Sequence, residues 1–190
     1  MSFTVESKSQ LAKLMATENL TIEHRKIKTA MIDVKNRVLF LPIWKEMSGF
    51  MYDHLAGHEV GHALYTPPEG AHSAILDNKK KAGWKSFLNV IEDARIEKKI
   101  QRRYPGLRRS FTQGYQSLRQ RDFFGIGTKD INTLTFINRI NIFTKSQYTE
   151  SFRFTDEELA IIERIKNLET FDQVLALTDE LYERAKDEQR

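Results

Sequence analysis

His58, Glu59 and His62 stand in the run HEVGH, a pattern suited to holding a divalent metal ion. On an α-helix, positions i and i+4 share a face about one turn apart, so two imidazoles at this spacing reach one ion. Glu59 sits beside them, where its carboxylate can take a proton from water on that ion. Zinc lowers the pKa of such a water from 15.7 to about 7. Two histidines, a third protein ligand and one water complete the open four-coordinate site of metal-assisted hydrolysis. The chain has no cysteine. Thiolate ligands, disulfides and a cysteine nucleophile are thereby excluded, and a reducing compartment is expected.

The third ligand must come from elsewhere. The longer pattern HExxHxxGxxH is not met, because Tyr65 and Pro68 occupy its later positions. Downstream, FLNVIEDARIEKK offers Glu92, Asp93 and Glu97, expected in that order. Glu92 belongs with Phe87, Leu88, Ile91 and Ile96 to a half-buried helix, where a carboxylate is costly without a cation. Asp93 is suited to orienting a histidine through its second nitrogen. Glu97, among lysines, reads as a surface ion-pair residue. His54 lies one turn before His58, but three consecutive turns of a straight helix diverge too far to share a tetrahedral ion. An orienting or surface role is expected for it. His24 and His72 read as surface residues. Oxyanion stabilisation calls for a donor facing the ion. Tyr104, Tyr115, Arg108 and His72 are the candidates; spacing does not rank them, and either tyrosine could equally be a core or surface aromatic.

These side chains need a helix to carry them. The pattern from about Met47 to Tyr65 is helical, with Met47, Met51 and Leu55 as its apolar stripe, and TPPEG ends it. Before it, AMIDVKNRVLFLP reads as a β-hairpin with Pro42 closing the second strand. Further helices are predicted over 4–18, 82–103, 107–123, 131–144, 156–167 and 171–187. A loop is predicted around 70–77 and a flexible turn at FFGIGTKD. The class is α+β, a small early sheet followed by helices. A core over 1–125 that carries HEVGH and a helical extension over 126–190 are the expected organisation.

Composition bounds the rest. At 190 residues, 40% hydrophobic and 29% charged, the chain is long enough for a proper core. It has no apolar run of membrane-spanning length and no basic-then-apolar leader pattern, so a soluble cytoplasmic protein is expected. Nine lysines and arginines fall between Arg95 and Arg121 against the single acid Glu97. No aromatic stacking pattern accompanies them along the chain, so a solvated helix face is expected and a nucleic-acid partner is not.

HEVGH followed by a helical glutamate resembles the glutamate-zincin metallopeptidases. The preceding AMIDVKNRVLFLP resembles the hairpin such enzymes set beside the cleft, where an edge strand holds extended substrate. More narrowly, HEVGHALYTP with FLNVIEDARIEKKIQRRYPGLRRSF resembles peptidases of large tailed phages, which are related to cobalt-chelatase-like proteins carrying a von Willebrand A domain. The resemblance covers residues 27–125. It implies zinc on His58, His62 and Glu92, with Glu59 as general base. It also implies a ring-forming ATPase partner of the MoxR or chelatase type, and the host cytoplasm if the gene is a phage's. No D-x-S-x-S stretch occurs here, so any von Willebrand A domain would lie outside these residues. The expected activity is a zinc metallopeptidase acting on protein or peptide. The alternative is a catalytically silent zincin-like assembly module.

Overall fold

A computed structural model describes residues 20–78, 81 and 83–188, with only the backbone at Ala71, His72 and Asn78. The helix predicted over 4–18 lies outside the described residues. Among the described residues three strands, β1 (Thr21–Arg25), β2 (Met31–Asp33) and β3 (Val38–Pro42), precede seven helices. These are α1 (Gly49–Tyr65), α2 (Pro68–Asn78), α3 (Trp84–Arg103), α4 (Leu107–Gln120), α5 (Phe136–Lys145), α6 (Asp156–Lys166) and α7 (Phe171–Asp187). The class is α+β, as the sequence indicates. The chain divides into two units: Met1–Thr66 with Ile96–Gly127, and Pro67–Arg95 with Thr128–Arg190. Helix α3 runs unbroken from the second into the first.

In the first unit the hairpin forms as read, β2 pairing antiparallel with β3. The sheet order is β1-β3-β2, however, with β1 parallel to β3. The second strand of the hairpin, Val38–Pro42, is therefore not an open edge for extended substrate such as the resemblance implies. Thr21–Arg25 takes that edge, and β3 is the central strand. Its inward residues Leu39 and Leu41 are fully buried and pack with Tyr52, Leu55 and Val60 of α1 and with Leu107 and Phe111 of α4. Helix α1 begins at Ser48, whose hydroxyl accepts from Met51 N–H at 3.2 Å. It ends at Thr66, ahead of two prolines. Arg37, at φ 58°, sends its guanidinium to the Ala63 carbonyl at 2.7 Å, a cation at the negative end of the helix.

The loop predicted around 70–77 is instead helix α2. Pro68 is its first residue and Glu69 lies in its first turn, and proline is well suited to opening a helix because the missing N–H has no partner there anyway. The segment 131–144 splits into a short 3-10 turn, Ile131–Thr133, and α5. In the second unit Trp84, Leu88, Ile91, Ile140, Ile162, Ile165 and Leu177 share one core.

Helix α6 opens with a capping box. Thr155 Oγ1 accepts from Glu158 N–H, and Glu158 Oε2 accepts from Thr155 N–H at 3.0 Å. Burial pushes the Glu158 carboxyl up, but hydrogen bonds from Arg139 and Thr155 outweigh this and hold it below its ordinary 4.5. A carboxyl lowered on folding stabilises above its unfolded pKa, and that contribution is lost as pH falls through the folded value. Glu158→Gln keeps the capping geometry and removes the charge. It should cost about 1–3 kcal/mol at neutral pH, and its melting temperature should converge on the wild type's as pH falls through the lowered pKa of the folded Glu158 carboxyl. A pH series of thermal melts checks both.

Candidate metal centre

Helix α1 carries His58 and His62 on successive turns, their ring centroids 4.9 Å apart. His58 Nδ1 donates to Glu97 Oε1 at 2.7 Å, and His62 Nδ1 meets the Thr66 hydroxyl at 2.8 Å. With Nδ1 engaged on both rings, Nε2 is the nitrogen each would offer to a metal. Glu97 is nearly enclosed, its side chain 5% exposed. The sequence reading of Glu97 as a surface residue is thus corrected: α3 turns it inward onto the imidazole of His58.

The two helices can approach this closely because residue 61 is glycine. A Cβ there would lie 2.9 Å from Ile96 Cδ1 and 3.4 Å from the Ile96 carbonyl oxygen. Glu97, the next residue on α3, is thereby brought within reach of α1.

Asp93 stands one turn before Glu97 on the same face of α3. One donor atom from each of His58, His62 and Asp93 lies within 4.8 Å of the other two. Two imidazoles and a carboxylate at that spacing could hold one metal ion after small side-chain rotations. Asp93 also accepts from Lys145 Nζ at 3.0 Å. Glu92, the glutamate expected to be the third ligand, is 3% exposed and makes a two-pronged ion pair with Arg95, at 2.8 and 2.7 Å. The argument that a buried carboxylate there needs a cation holds, but the cation it meets is a guanidinium on its own helix. Asp93 is the carboxylate grouped with the histidines.

The remaining candidates fall elsewhere. His54 is buried with its ring stacked on Phe111, centroids 4.6 Å apart, in space that Gly114 leaves open. It belongs to the packing of α1 on α4. Tyr115 is buried against Phe124, Tyr104 packs beside the first core, and Arg108 is exposed on α4. The side chain of His72 lies outside the described residues. Burial lowers the pKa of His24, whose Nε2 meets the Tyr52 hydroxyl at 2.8 Å.

Thr66, which meets His62 Nδ1, lies outside the HExxH pattern. The i, i+4 spacing that pairs the histidines also places Thr66 on the face of His62 and Glu97 on the face of Asp93. Compared with protein-family models, curated proteins and solved structures, the chain shows no match.

The arrangement separates the roles of neighbouring acids. After dialysis against zinc, Asp93→Ala should lose most of the bound metal, and Glu97→Gln should bind it 10- to 100-fold more weakly. Glu92→Ala should keep its metal but lose about 3–5 kcal/mol of stability, because Arg95 is left buried without its carboxylate. Gly61→Val should both destabilise the fold by about 1–3 kcal/mol and weaken metal binding. Metal content by elemental analysis, beside thermal melts, reads all four.

Proposed function

We propose that the protein is a zinc-dependent metallopeptidase. The observation that carries this reading is the pair of imidazoles anchored through Nδ1 by Glu97 and Thr66 and grouped with Asp93. The donor set fits the ion: imidazole nitrogen with carboxylate oxygen suits zinc without any thiolate. His58, His62 and Asp93 would hold it, Asp93 taking the place that the family resemblance implies for Glu92. Bound there, zinc supplies Lewis acidity and a water of lowered pKa.

The chain's own groups would do the rest. Glu59 is buried on α1 immediately beside His58. Its carboxylate would accept the proton of the attacking water and return it to the nitrogen of the departing amine. Glu97, an acceptor, holds His58 in the tautomer that presents Nε2, and Thr66 orients the ring of His62 through its Nδ1. An extended substrate that adds a strand would have to use β1 or β2 among the described strands, since β3 is paired on both sides.

The alternative, a zincin-like assembly module that turns over nothing, has one observation in its favour. Lys145 Nζ lies 3.0 Å from Asp93 Oδ2, so a cation already holds that carboxylate in place as part of the fold. The ATPase partner and the cytoplasmic setting rest on the family resemblance and composition. Among the described residues no helix is long and apolar enough to cross a membrane.

Glu59→Gln separates the two readings. The variant keeps the shape and hydrogen bonding of the side chain and loses its basicity. As an enzyme it should fold and hold zinc as the wild type does, yet cleave its substrate about 10²–10⁴-fold more slowly. Undiminished activity of Glu59→Gln in a cleavage assay on extended peptides or unfolded protein would overturn the peptidase reading.

A further inference from the structure

The basic stretch acquires in three dimensions what it lacks along the chain, a set of aromatic rings. Helix α4 reads LRRSFTQGYQSLRQ and contains no carboxylate. Leu107, Phe111 and Leu118 bury one side of it. Arg108 and Arg119 lie on one line of the helix about three turns apart, next to Arg109 and exposed glutamines.

Among the described residues, Arg108, Arg109, Arg119 and Arg121 form no ion pair with a carboxylate. In the second unit, by contrast, Arg95, Arg139, Arg164 and Arg184 each pair with a glutamate. The rings come from distant or flanking positions. Arg109 lies over Phe50 at 5.3 Å and Arg121 over Trp44 at 5.2 Å. Trp44 sits 5.8 Å from Phe123, which is 38% exposed.

We propose that this face of the first unit binds single-stranded nucleic acid. The guanidinium forks would contact backbone phosphates, and Phe123 beside Trp44 would offer a ring on which an unpaired base can stack. A duplex hides the faces of its bases, so it could use the arginines but not the ring. An acidic protein segment would likewise use the charges alone. Arginines with no acid to answer and an exposed ring beside them together favour the single strand. None of these residues belongs to the metal group, so this proposal stands apart from the peptidase reading.

The test is fluorescence anisotropy of the full chain with a labelled mixed-sequence oligonucleotide, single-stranded and as its duplex, from about 50 to 200 mM salt. Tighter binding of the single strand, weakening steeply with salt, is the expected result. Replacing Arg108, Arg109 and Arg119 together with Gln should lower the slope of log affinity against log salt by about 2. Phe123→Ala should weaken single-strand binding about tenfold and leave that slope unchanged. Unaltered melting temperature and metal content would show that the variants fold. The wild-type salt slope and strand preference test the proposal without any variant. No binding at about 50 mM salt overturns it. So does equal binding of duplex, or of polyglutamate, with no effect of Phe123→Ala.

Discussion

The hydrogen bond from His58 to Glu97 joins the helix that carries the two histidines to the helix that carries Asp93 and Glu97. It depends on a close approach. Gly61 lies against Ile96, where even one added methyl would collide with the isoleucine side chain. Helix α1 is thus hemmed in on more than one side, by the sheet through Leu55 and Val60, by α4 through Gly57, and by α3 through Gly61. Small residues at these positions let three neighbours press on one helix while its two histidines stay partly accessible. With that contact made, Glu97 fixes the orientation of one imidazole and Asp93 falls one turn away on the same face.

Charge is managed differently in the two units. The second unit answers its buried or half-buried charges with partners, as in Glu92 with Arg95 and Glu158 with Arg139. Burying an ion pair of this kind is costly unless both ions are well hydrogen-bonded, and each of these is held by two or more bonds. Among the described residues the first unit leaves Arg108, Arg109 and Arg119 of α4, and Arg121 just beyond it, without acids, and it sets Arg109 and Arg121 against aromatic rings. A guanidinium over a ring gives up little hydration, and Arg121 in addition donates to the Lys45 carbonyl at 3.1 Å. The two arrangements suit different ends, a closed core in one case and an outward-facing cationic surface in the other.

Much was legible in the sequence because it depends on neighbours a few residues apart. The i, i+4 histidines, the prolines that end α1, the β2–β3 hairpin and the apolar periodicity of α3 to α7 are local patterns. They are set by helix pitch, strand alternation and the missing N–H of proline. Helix α2 is ambiguous locally as well, since Pro68 suits both the end of one helix and the first residue of the next.

Tertiary structure alone decided the rest. Whether Glu92 or Asp93 turns toward the histidines depends on a rotation of about 100° around α3, which periodicity cannot resolve when both neighbours are acids. Glu92 meets Arg95 on its own helix, while it is Asp93 that offers a ligand atom alongside those of His58 and His62. The central place of β3 depended on Thr21–Arg25 pairing across a long stretch of chain, and the rings beside the α4 arginines come in part from Trp44 and Phe50, far from them in sequence. Such contacts are set by which surfaces meet in the packed chain, and a linear pattern of residues does not encode that meeting locally.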